Sequence, residues 1–348
     1  MRCRARLYTL LLAVCLAWPA AATPPSGCPP QADVPWQRLV PGVWVWPPVA
    51  PAEVSVRNGG HVAPTTALVA GAEAWVIDPG PSLQHGLRVR QSLACRFGAT
   101  VRGIINTHAH AENVLANAAF ADLQATGALT IAANAPTRAA MHQRCPACLA
   151  GLTARAGADA MAGTFIVEPD TTLHDGQTLR LGPWLLTVLP TETAHTEGDL
   201  LLWNAEHQLL WAGGLVYDGR IPELAQGRLE HWLAALERVQ TLGARHIVSA
   251  AVAQAQPEGT APAALLATRD YLHALRQAIL QAMDAGQQAQ DAQGVPLPAF
   301  SHWVGYAERH GFNVQRAWRE LEPVWMDQAL PLPAPPADPA DSGQHVGR

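Results

Sequence analysis

The chain has 348 residues, 49% of them hydrophobic and only 15% charged, which suits one large domain or two small ones with a substantial core. Its net charge of −5 and pI near 6.3 argue against a nucleic-acid binder, and no run of like charges offers a grip on a membrane surface. All 23 basic residues are arginine, so a phosphate-cradling Gly loop ending in Lys-Ser/Thr cannot exist.

The first residues read as an export signal. Arg2, Arg4 and Arg6 form a basic start, Leu7 to Trp18 an apolar run, and Ala20-Ala21-Ala22 a cleavage site of small residues. The run is too short to span a bilayer comfortably. Residues 1–22 are therefore expected to be removed, leaving a periplasmic or secreted protein with no membrane span. The mature charge falls to −8, because the segment carries three arginines and no acid.

Residues 23–40 are Pro-rich and read as an irregular arm. "GVWVWPP" (Gly42 to Pro48) alternates and is stopped by prolines, as an edge strand is. "TTALVAG" and "AWVIDPG" predict a hairpin around Gly71 that ends at Asp78. A helix is expected from about Leu83 to Phe97, then a buried strand over Val101 to Asn106. "VLANAAFADL" reads as a helix, "LTIAANAP" as a strand and "TRAAMHQRC" as a helix. "TFIVEP", "QTLRLG" and "WLLTVLP" read as three short strands, and "HQLLWAGGLVYDG" as another. A helix closed by Gly243, the strand "RHIVSAAV", a long helix stopped by Gly286 and a last helix over about Asn313 to Met326 complete the order.

This order predicts an α/β (α+β) architecture, an αββα sandwich over residues 41–258 with two mixed sheets face to face and helices outside. A helical extension follows over 259–328, and residues 329–348 are expected to be disordered. Four cysteines, Cys28, Cys95, Cys145 and Cys148, remain after cleavage, and export permits disulfides. They allow three pairings, among them a local bridge within Cys145-Pro-Ala-Cys148. A redox dithiol or half of a zinc knuckle lacks a thioredoxin-like setting or a second CxxC.

The chemistry centres on "NTHAHAENVLAN" (Asn106 to Asn117). Alternate residues of an extended segment point the same way, so His108 and His110 can converge on one cation. His195 lies in "TETAHTEGDLLLW". Three neutral histidines and a water form an open zinc shell. No G-x-S-x-G elbow supports a serine hydrolase instead.

"VIDPG", "INTHAHAEN", "ETAHTEGDLLLW" and "LLWAGGLVYDGRIPEL", in this order over about residues 40–255, resemble the metallo-β-lactamase superfamily. "MHQRCPACL", "GRIPEL…WLAALERV" and "FNVQRAWRELE" resemble, within it, the exported quinoprotein relay system zinc metallohydrolases. The resemblance implies first-site metal ligands at His108, His110 and His195. It also implies a second site that this chain lacks. The superfamily's THxHxDH has Glu112 and Asn113 at its last two marked positions, the bridging aspartate falls on Gly214, and the final histidine falls on Ala251. His246 cannot substitute, since five strand residues at ~3.3 Å each put it roughly 17 Å away. Asp218 lies four residues beyond Gly214, across "LVY", which reads as strand. His61 and His142 lie in loops that can reach a site, but nothing in the sequence requires it.

The expected cofactor is one Zn2+. Glu112 is a candidate general base or water-orienting residue, though it also suits a helix start. Asn113 reads as a helix-start residue, and Asp78 and Asp199 as structural groups near the site. The expected activity is hydrolysis of an ester, thioester or amide-like bond in a small-molecule or carrier-bound substrate, linked to a periplasmic quinoprotein system. The rival expectation is a catalytically inactive homologue that serves that system as a binding or scaffold partner.

Overall fold

The computed structural model describes residues 28–255 and 259–329. The expected export signal over 1–22 lies outside the described residues, as does all but the first residue of the expected disordered tail. Among the described residues, no helix is long and apolar enough to cross a membrane.

The first sheet holds seven strands in chain order. They are β1 (Gln37–Val40), β2 (Val43–Trp46), β3 (Thr65–Ala70), β4 (Glu73–Ile77), β5 (Thr100–Ile105), β6 (Thr130–Asn134) and β7 (Thr171–Leu173). The first four pair antiparallel, and β4 to β7 pair parallel. The second sheet contains β8 (Thr178–Leu181), β9 (Trp184–Leu189), β10 (Leu201–Asn204), β11 (Leu209–Trp211), β12 (His246–Val248) and β13 (Val252–Gln254), with only β11 and β12 parallel. The helices are α1 (Leu83–Phe97), α2 (Ala111–Val114), α3 (Ala121–Ala125), α4 (Ala135–Ala156), α5 (Ala158–Met161), α6 (Leu229–Thr241), α7 (Ala263–Asp284) and α8 (Tyr306–Ala329).

The sheets stack through alternate residues, as strand periodicity requires. Val43, Val45, Leu68, Ile77 and Ile105 from the first sheet meet Leu186, Val188, Leu202, Leu209 and Trp211 from the second. Outside the first sheet, Val76 and Ile104 pack with Val89 and Leu93 of α1. Outside the second, Leu210 and Ile247 pack with Trp232 of α6, Leu275 of α7 and Trp318 of α8. This is the expected αββα arrangement, with extra C-terminal helices over the second sheet.

Several local expectations give way to specific contacts. The arm over 23–40 ends in β1, so "GVWVWPP" forms an inner strand and β1 takes the edge. Trp36 donates from Nε1 to Ser92 Oγ of α1 at 3.0 Å, and the Cys28–Cys95 disulfide fastens the same arm to the same helix. "TFIVEP" is not a strand. The Val167 and Glu168 carbonyls accept instead from the side chains of Asn117 and Gln124, at 3.0 Å each. "LVY" (Leu215 to Tyr217) is not a strand either, because Leu215 N turns back to Ala212 O and the other two amides go to hydroxyls. Val216 N donates to Ser249 Oγ at 2.8 Å and Tyr217 N to Thr268 Oγ1 at 2.9 Å. The last helix begins at Tyr306, ahead of the expected Asn313. Cys145 and Cys148 are free thiols on α4, which runs through Pro146, so no local bridge forms. Burial pushes the Cys145 thiol up to about 12, against a reactive dithiol.

A second histidine cluster sits behind the first sheet. His85 of α1 stacks on Trp46 at 4.1 Å, His61 lies 4.8 Å from His85, and the Arg88 guanidinium covers Trp46. Burial, with Arg88 nearby, lowers His61 from 6.5 to about 4 even though a backbone hydrogen bond at Trp46 opposes the shift. The unfolded chain therefore takes this proton near pH 6.5, and the folded chain only near 4. Stability should fall as pH drops through this window, with His61 contributing about 2 kcal/mol of loss between pH 7 and 5. Urea unfolding in chelator at both pH values should show His61→Gln flattening the profile. An unchanged difference between the two pH values would contradict this assignment.

Candidate metal centre

The site forms where β4 and β5 end side by side. Ile77 pairs with Ile105, so Asp78 emerges next to the loop that begins at Asn106. Asp78 turns with φ of 51°, a left-handed conformation that aspartate tolerates better than most residues. Its Oδ1 accepts from Thr107 N at 2.8 Å, and its Oδ2 accepts from Thr107 Oγ1 at 2.5 Å. Asn113 Nδ2 also donates to Oδ2, at 3.3 Å. Burial pushes the Asp78 carboxyl up to about 7, and these three donors hold it back. Asn106 and Asn117 add a reciprocal amide pair at 3.1 and 2.8 Å, which ties the loop start to the helical segment that follows it.

Thr107 passes this order on. With its hydroxyl proton committed to Asp78, its oxygen accepts from His108 Nδ1, 3.0 Å away. The proton on Nδ1 leaves His108 Nε2 as a free lone pair. Two residues on, His110 turns its ring to the same point.

His195 arrives from the second sheet, on the loop between β9 and β10. Asp199 builds that loop by accepting from Ala194 N, His195 N, Thr196 N and Thr196 Oγ1 at 3.2, 2.7, 3.0 and 2.6 Å. Leu200 N donates to Thr107 O at 2.8 Å, which joins the two loops. His195 Nδ1 donates to the Glu223 carbonyl at 3.0 Å, which fixes its tautomer and aims Nε2 at the other two rings. Trp232 backs the ring at 5.0 Å.

The three imidazoles each offer a ligand nitrogen, all within 4.8 Å of one another. His195 Nε2 is 3.3 Å from His110 Nδ1. His108 and His195 are buried, and burial above all holds both well below the ordinary imidazole pKa. They are neutral, as a metal ligand must be. The donor set therefore fits one divalent cation that prefers imidazole.

The positions expected to have lost second-site ligands are occupied otherwise. Asn113, in α2, braces Asp78. Ala251 follows β12, and its carbonyl accepts from Ser249 N at 2.8 Å. Gly214 is more telling. A Cβ there would stand 2.1 Å from His195 Cδ2 and 2.5 Å from Nε2, so the histidine ring fills the space that any side chain would need. Asp218 lines a separate cavity of about 430 Å3 together with Tyr217, Arg220 and Ala251. His61 belongs to the cluster behind the first sheet, and His142 is paired with Glu168 at the surface. Neither joins the triad.

Glu112 has one carboxylate oxygen 3.9 Å from His110 Nδ1. Both line a cavity of about 320 Å3 that also meets Cys148, Arg220, Glu223 and Arg309. Arg220 and Glu223 lie within "GRIPEL", but that motif assigns them no role at the site, and Arg309 lies outside the quoted motifs; the three reach the cavity through loop and helix packing.

Known proteins are similar to part of the chain. The hydroxyacylglutathione hydrolase of Bdellovibrio bacteriovorus is 30% identical over 73 residues, which cover 21% of this chain and 29% of that protein. The acyl-coenzyme A thioesterase MBLAC2 of Homo sapiens is 31% identical over 83 residues, 24% of this chain and 29% of its own length. The chain thus spans about three-tenths of the length of these curated relatives. Among solved structures, a metallo-beta-lactamase from Pontibacter korlensis superposes with a TM-score of 0.50 at 17% identity, covering 68% of this chain and 98% of that one. The mono-zinc form of the metallo-beta-lactamase FIM-1 from Pseudomonas aeruginosa gives 0.51 at 16% identity, covering 68% and 94%. These likenesses carry the fold alone. Residues 59–250, more than half of the chain, match the metallo-beta-lactamase superfamily, and the chain belongs to that superfamily.

Proposed function

We propose that this protein is a mononuclear zinc hydrolase whose metal is held by His108, His110 and His195. One observation carries the reading: three imidazoles converge, and the two most buried, His108 and His195, have their second nitrogens fixed by Thr107 and Glu223. Zinc in such a shell supplies Lewis acidity and an acidified water. The chain's own residues do the rest. The buried ring of His195 fills the space that a side chain at Gly214 would need, so no carboxylate ligand fits there with the ring so seated. Glu112 faces the cavity beside His110 and serves as the group that orients water or accepts its proton.

A thioester or ester is the favoured substrate, as a small molecule or bound to a carrier. The matched relatives named as a hydroxyacylglutathione hydrolase and an acyl-coenzyme A thioesterase support that class over an amide. We place the protein in the periplasm, working with quinoprotein-dependent oxidation. The export-type N-terminus and the Cys28–Cys95 disulfide support the compartment. The partner system is supported by the sequence resemblance of "MHQRCPACL" and "FNVQRAWRELE".

A second reading, an inactive scaffold in the same system, is favoured by the lost positions Asn113, Gly214 and Ala251. Metal analysis of protein purified without a chelating tag separates the two in part. The zinc reading expects about one zinc per chain, lost on His108→Ala or His195→Ala. Metal-free protein whose stability ignores both replacements contradicts it. Acyl thioester turnover by the zinc-loaded protein should fall about 10²- to 10⁴-fold on Glu112→Gln with zinc content retained. Zinc-loaded protein inert toward thioesters and esters would leave the scaffold reading in place. Gly214→Asp restores the ligand type of a two-metal site, yet it should displace His195 and lower zinc content. A gain to about two zinc per chain would overturn the mononuclear reading.

A further inference from the structure

The superfamily match ends at residue 250, but the contacts that fix His195 do not. The Glu223 carbonyl that accepts from His195 Nδ1 sits on a loop with its own holder. That holder is α8. Asn313 Oδ1 accepts from Leu224 N at 3.0 Å, and Asn313 Nδ2 donates to Pro222 O at 2.7 Å. One turn earlier on the same helix face, Arg309 Nη1 donates to the Glu223 carboxylate. Three consecutive residues, Pro222, Glu223 and Leu224, are thus gripped by two side chains spaced i, i+4.

The grip continues along the helix and just before it. Ile221 N donates to Val304 O and Val304 N donates to Gly219 O, both at 2.9 Å. Further along α8, Glu320 accepts from Leu229 N and Glu230 N at 2.9 and 3.2 Å and caps the start of α6. The loop also touches the histidine segment directly, through Arg228 N to Ala194 O at 2.8 Å. Arg309 is itself braced from the opposite end of the chain. Its Nε and Nη2 donate to the two oxygens of Glu53 at 2.9 and 2.5 Å, a bidentate pair that sets the guanidinium plane.

We infer that Arg309 and Asn313 are positioning residues of the metal centre. They set the direction of His195 Nε2 through the 222–224 backbone, although neither reaches the metal. This rests on the triad being a metal site. A ring whose Nδ1 partner shifts loses both tautomer and aim, and outer partners of this kind typically govern metal affinity by about 10- to 100-fold.

The test measures zinc affinity of the full chain by chelator competition, with the absorption spectrum of the cobalt(II)-loaded protein as a geometric readout. Arg309→Met and Asn313→Asp should each bind zinc roughly tenfold more weakly than wild type and alter the cobalt spectrum. Arg309→Lys should recover part of the loss, because lysine restores charge but not the fork on Glu53. Arg276→Met breaks the Arg276–Glu230 ion pair between α7 and α6 and should leave both readouts unchanged. Wild-type affinity and spectrum in folded Arg309→Met and Asn313→Asp would overturn the inference. Should either variant fail to fold, Arg309→Lys decides alone: a spectrum and affinity equal to wild type would overturn it. If wild type itself binds no zinc, the metal reading fails rather than this one.

Discussion

The buried carboxylate of Asp78 is the constraint on which the site depends. A carboxylate at the shared end of two parallel strands costs free energy unless its lone pairs are filled. The chain fills them with Thr107 N, Thr107 Oγ1 and Asn113 Nδ2. That arrangement bends the loop after β5 into one shape and hands an ordered acceptor to His108 Nδ1. Asn113, at a position the sequence resemblance marks for a ligand, supports the His108 loop through its amide.

The other half of the centre is organised by a second carboxylate and by distant packing. Asp199 gathers the 194–196 amides, so His195 leaves the second sheet at a fixed angle. The ring then lies against Gly214, where a methyl group would already collide with it. The absence of a side chain at Gly214 and the tight seating of His195 are one steric fact. The C-terminal helices, which lie beyond the matched superfamily segment, close the arrangement through Glu223.

Much of this is legible in the sequence, for physical reasons. His108 and His110 are read from the two-residue period of extended chain, and Asp78 and Asp199 from acids placed at strand ends. The missing ligand at Gly214 is legible as a letter, but the reason for glycine is not, because it depends on a ring nineteen residues away in sequence. β1 is hidden because "QRLV" begins with two polar, exposed residues and becomes a strand only by pairing with β2. "LVY" misleads in the opposite way. Its apolar residues favour a strand, while Ser249 and Thr268 take the Val216 and Tyr217 amides. Arg309 is beyond sequence reasoning because its carboxylate partners lie 86 and 256 residues away. The Cys28–Cys95 pairing needed the arm and α1 placed side by side.

The central claim is a single cation held by three imidazoles. Anomalous diffraction at the zinc edge, from crystals grown with excess zinc, tests it directly. The account predicts one strong peak per chain among the side chains of His108, His110 and His195, with nothing beside Gly214 and Ala251. A second peak at that lost position, or no peak at the triad, would contradict it.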